Sequence, residues 1–377
     1  MTAKRRQRLQ QLWRNVHLCI GAGLLLLLGA ISLSGALLVW KTPLDRLAHP
    51  DRYAVTPGAL APPSLYLARV TAAGLEPVTL QLSDNGGGPV VVTARRGGAE
   101  PGARPSLVTV YLDPPAGRML DVVDFRSSLF GMLHRFHENL MLPEYGGRSI
   151  IGWMGVAMFT SVLTGIYLWW PRGGGLRQGL RWQRGGGVLS NLHHMVGIWI
   201  AIPLAIVAIT GVYLGFPQQG RAALSSLFAM APAERGAFAA PLLQPTARSI
   251  DQALEAALAT MPGSKPLSIA LPSKPRGAWR IELCTSCTGE SVPITVDDKS
   301  GVASIAGPQL AGDRIAARMR WLHEGSHAGW VWRAVVFLCG LFPPLLGLSG
   351  VVIWLQRRKR AAAGTLRALQ PQPGPAE

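Results

Sequence analysis

The residues in this chain best suited to hold a metal are four histidines at the ends of hydrophobic segments. Two are followed by a glycine four residues on and by a hydroxyl residue and glycine 17 residues on: His17 with Gly21 and Ser34-Gly35, and His193 with Gly197 and Thr210-Gly211. The other two precede the same kind of dipeptide by 26 or 27 residues: His137 with Thr164-Gly165, and His323 with Ser349-Gly350. Neutral imidazole is the commonest metal ligand in proteins. The repeated pattern predicts bound metal or haem, and hence electron transfer.

Four apolar segments of membrane length must position these histidines. Each has about 20 or more residues with almost no charge, enough to cross a hydrocarbon core of about 30 Å. They are 18–40, 150–170, 196–216 and 330–355. The first is longer than the apolar part of a signal peptide and lacks a small-residue cleavage site, so we expect it to remain as an anchor.

The net charge of +17 follows the expected membrane topology. Fourteen of the 37 lysines and arginines lie in the two termini and in segment 172–192, where Glu377 is the sole acidic residue. Cytoplasmic segments of membrane proteins are enriched in these residues, so we expect both termini in the cytoplasm. The charge therefore does not indicate a nucleic-acid partner.

The segments 41–148 and 217–329 are too long to be simple connections between spans. In the second, Ser249 begins a segment with apolar residues at helical spacing. Strand-like runs follow at 267–271, 278–283 and 292–296, and then a turn at 297–302. The first segment ends alike, with a strand at 107–112 and a turn at 113–118. Both are predicted to be small α+β modules.

Several segments resemble the PepSY-associated transmembrane family. They are Val16-His17 with Gly21; Phe136-His137-Glu138-Asn139-Leu140; Thr164-Gly165-Ile166 with Trp169; Leu192-His193 with Gly197; Thr210-Gly211-Val212; Leu322-His323-Glu324-Gly325; and Ser349-Gly350-Val351. The resemblance spans nearly the whole chain and rests on the order and repetition of these segments. It implies that each helix pair brackets a PepSY-like periplasmic module. The family includes inner-membrane ferrisiderophore reductases that carry two haems, so the resemblance implies the same here.

The predicted fold is α-helical and membrane-embedded: a four-helix transmembrane bundle from a duplicated helix–PepSY–helix unit, with two small α+β periplasmic modules. Its predicted parts are a cytoplasmic N-terminus and first helix (1–40), the first module (41–148), the second helix (149–171), a cytoplasmic loop (172–192), the third helix (193–216), the second module (217–329), the fourth helix (330–355) and a cytoplasmic tail (356–377). The expected location is the bacterial inner membrane.

Topology decides which histidines can share a cofactor. His17 and His193 are expected at the cytoplasmic ends of their helices, and His137 and His323 on the periplasmic side. Repeats of the same orientation are related by an axis along the membrane normal, which would bring equivalent histidines face to face. Two axial imidazoles per iron suit electron transfer. The predicted cofactors are therefore two non-covalent haems b, and a glycine four residues after a ligand leaves room for the flat porphyrin.

Three further histidines remain alternative ligands. His134 lies one turn before His137, His327 lies one turn after His323, and His194 lies beside His193 but about 100° round the helix. Any one of the histidines, taken alone, could instead simply sit at the membrane interface. Cys284 and Cys287 are expected to form a local disulfide in an oxidising periplasm, with a redox-active dithiol as the alternative.

The predicted function is electron transfer from an unidentified cytoplasmic or membrane donor to a periplasmic ferric acceptor, a ferric siderophore according to the resemblance. This would make the protein a ferric-chelate reductase, an oxidoreductase without acid–base catalytic residues. The sequence has no dinucleotide-binding fingerprint or phosphate loop, so the electrons must come from elsewhere. Two alternatives remain: a cytochrome subunit that serves a separate periplasmic reductase, and a haem-free PepSY protein that binds or regulates a partner. Metal transport is disfavoured because the spans contain essentially no carboxylates.

Overall fold

The computed structural model describes residues 3–83, 87–97, 105–171, 176–181, 187–232, 241–275, 277–285, 291–307, 309–326 and 329–368. The helices of this part are α1 (Ala3–Gly23), α2 (Leu25–Val39), α3 (Lys41–Ala48), α4 (Pro63–Ala72), α5 (Leu129–Asn139), α6 (Gly147–Trp169), α7 (Leu176–Gly179), α8 (Val188–Gly215), α9 (Pro217–Ser225), α10 (Ile250–Thr260), α11 (Ala311–Glu324) and α12 (Gly329–Ala368). The strands are β1 (Glu76–Gln81), β2 (Val90–Arg96), β3 (Ser106–Leu112), β4 (Met119–Asp124), β5 (Lys265–Ala270), β6 (Ala278–Cys284), β7 (Val292–Asp297) and β8 (Ala303–Ile305). They divide into a helical unit (Met1–Trp40, Leu133–Phe228 and Arg314–Glu377) and a sheet unit (Lys41–Met132 and Ala229–Asp313).

The helical unit contains the candidate membrane spans. Helices α6, α8 and α12 are each long and apolar enough to cross a membrane, and α1 with α2 forms a fourth candidate that is bent by 66°. The segment 18–40, expected to be one span, is therefore not a straight helix. The chain departs from helical geometry at Leu24, with φ −106° and ψ 9°. Gly21 and Gly23 precede the bend, and glycine is a poor helix former, which accounts for its position.

Glycines let the helices of this unit approach closely. A Cβ added at Gly215 of α8 would lie 2.6 Å from the Cα of Gly152 in α6, and one added at Gly340 of α12 would lie 2.6 Å from the carbonyl oxygen of Ser32 in α2. Small residues at helix contacts are typical of transmembrane packing. Helix α12 also packs against α8, and α1 against α6.

The sheet unit contains one antiparallel eight-stranded sheet of order β4-β3-β2-β1-β5-β6-β7-β8. Strands β1 to β4 follow α4, and β5 to β8 follow α10, so each predicted module contains a helix followed by four strands. They meet where β1 pairs with β5, with Leu80 opposite Ile269. One continuous hydrophobic core includes Tyr66 of α4, Ala253 of α10 and buried residues of both sets of strands.

The elements predicted for the second module are confirmed. The helix expected after Ser249 is α10: the Ser249 hydroxyl oxygen accepts the N–H of Gln252, and the Gln252 side chain accepts the N–H of Ser249. The runs at 267–271, 278–283 and 292–296 correspond to β5, β6 and β7. The turn after β7 is tied down by buried Asp298, which accepts hydrogen bonds from the Trp279 indole and from the N–H groups of Ala247 and Arg248.

Candidate cofactor site

The helical unit brings the four principal histidines together as two pairs of neighbouring rings. In the first pair, His17 of α1 and His193 of α8 have ring centroids 6.4 Å apart and ring planes at 88°. In the second pair, His137 of α5 and His323 of α11 have centroids 6.1 Å apart and planes at 42°. Each pair therefore joins one histidine from each half of the chain.

Both rings of the first pair are held through Nδ1 by a hydroxyl side chain of another helix. His17 Nδ1 lies 3.0 Å from Thr164 Oγ1 of α6 and 3.0 Å from the carbonyl oxygen of Ser161. His193 Nδ1 lies 2.8 Å from Ser349 Oγ of α12, and the His193 ring also hydrogen-bonds the backbone three residues before that serine. The two imidazoles are thus fixed in the same way.

The second pair repeats this arrangement. His137 Nδ1 lies 3.1 Å from Ser34 Oγ of α2 and 3.0 Å from the carbonyl oxygen three residues before that serine. His323 Nδ1 lies 3.3 Å from Thr210 Oγ1 of α8 and 2.9 Å from the carbonyl oxygen three residues before that threonine. Since Thr210 and His193 are 17 residues apart in α8, the two pairs are separated by about 25 Å along this helix.

In each half of the chain, the two hydroxyl–glycine dipeptides hold each other's histidine. Each dipeptide contacts the histidine that precedes the other dipeptide in the sequence, and we call this arrangement an exchange of contacts. The dipeptide Ser34-Gly35, which follows His17 in the sequence, contacts His137, while Thr164, which follows His137, contacts His17. The same exchange relates α8 and α12 in the second half. The repeated dipeptides are visible in the sequence, but the pattern alone does not predict which histidine each one contacts. Their repetition beside a repeated histidine was the signal for a shared role.

The hydrogen bonds fix which ring nitrogen carries the proton. The hydroxyls of Ser34, Thr164, Thr210 and Ser349 donate to carbonyl oxygens of their own helices at 2.7–3.0 Å. A carbonyl oxygen can only accept, so Nδ1 of each histidine must donate and is protonated. In the part of the chain that the structure describes, all hydrogen bonds of these four rings involve Nδ1. Nε2 is therefore the nitrogen with a free lone pair.

The glycine of each dipeptide lies against the ring that its neighbour holds. A Cβ added to the glycine would approach the Cε1 atom of that ring at 2.7 Å for Gly35 and His137, 2.9 Å for Gly211 and His323, 3.2 Å for Gly165 and His17, and 3.4 Å for Gly350 and His193. At the first two positions any larger residue would displace the ring. At these two positions glycine is thus required for the close approach of helix and imidazole.

A cavity of about 690 Å³ lies beside the first pair, within the size range of cofactor pockets. Gly21 and Gly197 both line it, and a Cβ added to either would have no other atom within 4 Å. These glycines therefore border open space. Three arginines also line the cavity, and guanidinium groups bind carboxylates strongly: Arg14, Arg357 and Arg358.

The two imidazoles of each pair fit a metal whose other ligands would come from a bound group rather than from the protein. A metal–imidazole bond is about 2.0–2.1 Å long, and Nε2 lies about 1.2 Å from the ring centre, so one metal between two imidazoles separates their centroids by about 6.4 Å. The observed 6.4 and 6.1 Å match this value. Among the described residues, no group of three or more histidine, cysteine, aspartate or glutamate side chains could hold a metal ion. Two imidazoles per site are a donor set that would fit haem, whose porphyrin would supply the remaining ligands.

The electrostatic surroundings keep the second pair neutral. Burial lowers the pKa of His137, and burial together with the nearby His137 lowers the pKa of His323 to about 4. The hydrogen bonds to backbone oxygens oppose this effect without outweighing it. Both rings are therefore neutral near pH 7, which is the form that binds metals.

The alternative histidines have other surroundings. His134 is half exposed and lies 3.6 Å from the Glu138 carboxylate. His194 lines the cavity next to His193, and its Nδ1 lies 2.5 Å from the Ser190 carbonyl oxygen. The third alternative, His327, lies outside the described residues.

The expected local disulfide falls partly within the described chain. Cys284, at the end of β6, is disulfide-bonded. Cys287 lies outside the described residues. Cys19 and Cys339, both in the helical unit, are free.

Comparison with known proteins agrees with this architecture. The family model of the PepSY-associated TM region matches residues 14–357. The uncharacterized protein PA4219 of Pseudomonas aeruginosa is 26% identical over 268 residues, which are 63% of this chain and 66% of that protein. The chain thus spans slightly less than two thirds of that relative's length. With candidate membrane spans and a family match over most of its length, this membrane protein belongs to the PepSY-associated transmembrane family.

Proposed function

We propose that this protein is a di-haem membrane cytochrome that reduces a periplasmic ferric chelate. In this proposal, His17 and His193 bind one haem b, and His137 and His323 bind the other, both non-covalently. One observation carries the proposal: four histidines form two close pairs of rings, and each ring has Nδ1 committed as a donor and Nε2 left free.

The proposed architecture is a four-helix transmembrane bundle made from a duplicated helix–PepSY–helix unit. It is supported by the same helix and four strands in both modules, and by the same exchange of hydroxyl–glycine contacts in both halves. The excess of lysine and arginine in the termini and in segment 172–192 favours a cytoplasmic location for these parts. In the inner membrane of a bacterium, both modules would then be periplasmic.

The protein's own residues hold and orient the ligands. The Nδ1 hydrogen bonds place the proton of each neutral imidazole on Nδ1 and leave Nε2 available for coordination. Haem, when bound, would supply the one-electron couple. Two histidine ligands leave no coordination position open, which is typical of electron carriers. The two pairs lie about 25 Å apart along α8, so one pair lies near each end of this candidate membrane span.

The proposed acceptor is a ferric siderophore, supplied with electrons by a cytoplasmic or membrane-embedded reductant. One electron converts Fe(III) to Fe(II), and Fe(II) binds hard oxygen chelators far less tightly than Fe(III). Reduction would therefore release the iron. The chain would act as the conductor and as a docking surface, without acid–base groups of its own.

The first test is the absorption spectrum of the purified full-length protein. We expect a Soret band, sharp α and β bands after dithionite reduction, and about two haems per chain. His17→Ala and His323→Ala should each remove about one haem. His134→Ala is the matched control, because this half-exposed histidine lies beside the Glu138 carboxylate and belongs to neither of the two ring pairs. Colourless protein from haem-replete cells would refute the proposal, and full haem content in both ligand variants would refute the ligand assignment.

A second measurement distinguishes the reductase from the alternative functions. The dithionite-reduced protein, freed of reductant, is mixed with a panel of ferric siderophores while the α band is followed. Rapid reoxidation with trapping of Fe(II) by a ferrous chelator is expected for a direct reductase. Reoxidation only when a separate periplasmic reductase is added would instead indicate a donor subunit.

A further inference from the structure

The four hydroxyl–glycine dipeptides form a repeated device whose role goes beyond packing. We infer that Ser34, Thr164, Thr210 and Ser349 are positioning residues that give the Nδ1–H group of each ligand histidine a second acceptor, fix the ring plane, and thereby tune the reduction potential of each centre. This inference rests on the proposed function, since it concerns histidines that bind haem. It assigns a task to four side chains that touch the ligand and not the metal.

The hydrogen of each hydroxyl is already donated to a backbone carbonyl oxygen of its own helix. Thr164 Oγ1 donates to the carbonyl oxygens of Thr160 and Ser161 at 2.9 Å, one turn earlier in its own helix. Its single hydrogen is therefore occupied, and its oxygen can serve His17 Nδ1 only as an acceptor. The same logic applies to the other three hydroxyls, whose own donor bonds are 2.7–3.0 Å long.

Two acceptors on one N–H make the ligand more basic. A histidine that donates through its second nitrogen binds metal more strongly, because partial negative charge builds up on the coordinating nitrogen. Extra electron density favours the more oxidised, more positive metal. Loss of the hydroxyl acceptor should therefore raise the reduction potential, while the backbone carbonyl continues to hold the proton on Nδ1.

The same contacts fix the ring planes. His17 is confined by Thr164 and by the backbone at Gly165, where an added Cβ would lie 3.2 Å from Cε1. The resulting interplanar angle is 88° in the first pair and 42° in the second. The electronic structure of a ferric bis-histidine centre depends on this angle. The two centres should therefore give two distinct low-spin signals in the electron paramagnetic resonance (EPR) spectrum of the oxidised protein.

The test uses Thr164→Val, which keeps the shape and removes the hydroxyl, and Thr164→Ser, which keeps the hydroxyl. Thr160→Val is the matched control, because this threonine lies one turn earlier in α6 and its hydroxyl donates to Val156 O. Midpoint potentials and EPR spectra are measured on full-length protein. We expect Thr164→Val to raise the potential of one haem and to alter its EPR signal alone, while Thr164→Ser and Thr160→Val match the parent.

The outcomes separate this inference from the proposal beneath it. Loss of one haem in Thr164→Val but not in Thr164→Ser would also support a positioning role. If Thr164→Val keeps two haems with unchanged potentials and EPR signals, the inference is wrong while the di-haem proposal stands. Equal effects of Thr164→Val and Thr160→Val would likewise overturn it, since general packing of α6 would then explain both. Absence of haem from the parent protein would refute the proposed function itself.

Discussion

Alanine substitution of the four dipeptide glycines should weaken haem binding in an order set by the distances. The added methyl group would lie 2.7 Å from the His137 ring at Gly35 and 2.9 Å from the His323 ring at Gly211. The corresponding distances are 3.2 Å at Gly165 and 3.4 Å at Gly350. Only the last is an ordinary van der Waals contact, so only there can the ring stay in place.

The size of the effect follows from the displacement that each ring needs. At Gly35, the ring must move by about 0.7 Å to restore ordinary contact, which exceeds the tolerance of about 0.5 Å for a functional constellation. Overpacking of this kind costs about 1–3 kcal/mol, and each 1.4 kcal/mol is a factor of ten in affinity. We therefore expect haem affinity to fall roughly 5- to 150-fold in Gly35→Ala and Gly211→Ala. Gly165→Ala should have a small effect, and Gly350→Ala should resemble the parent.

The assay is haem content per chain, measured during titration of the purified variants with a haem-binding competitor. Alanine is a better helix former than glycine by about 1 kcal/mol, so the substitutions do not weaken the helices that carry them. Preferential loss of the haem assigned to His137 and His323 is expected in the Gly35 and Gly211 variants. If Gly350→Ala loses as much haem as Gly35→Ala, or if neither loses any, the close approach of glycine and imidazole does not govern binding.

Two further predictions concern the sheet unit. Asp298→Ala should lower the unfolding free energy of this unit by several kcal/mol, because the buried Trp279 indole and two backbone N–H groups lose their acceptor at about 1–3 kcal/mol each. Limited proteolysis should detect this loss, with Asp297→Ala at the more exposed neighbouring residue as the control. Equal resistance of the two variants to the protease would contradict the prediction. Ser249→Ala should cost about 1 kcal/mol through loss of the α10 capping box, Ser249→Asp should restore most of it, and identical thermal unfolding of Ser249→Ala and the parent would contradict the cap's role.

The features predictable from sequence were those encoded by local pattern. Apolar length identified the regions of α6, α8 and α12, and alternation identified β5, β6 and β7. The capping signal at Ser249 placed the start of α10, because a side chain that satisfies its own helix end needs no distant partner. Repetition of histidine and glycine selected the four rings that the structure brings together in pairs.

Features that depend on contact between distant segments could not be predicted in this way. The pairing of β1 with β5 joins the two modules into one sheet through residues about 190 positions apart, such as Leu80 and Ile269. The bend at Leu24 was hidden because the apolar run continues through it. The exchange of dipeptides between helices was also hidden, since each histidine is held by a residue that is far from it in the sequence.

The exchange of contacts bears on the choice between a haem protein and a haem-free binding protein. A purely structural histidine pair gains most when one ring donates to the other or when both nitrogens find partners. Here the Nδ1 proton of every ring is already committed, so neither ring of a pair has a proton to donate to the other. The rings therefore gain no hydrogen bond from lying together, although their centroids are 6.4 and 6.1 Å apart. A metal bound by the free nitrogen of each ring would account for the pairing at both sites, which the haem-free alternative leaves unexplained. This is why we favour the di-haem proposal.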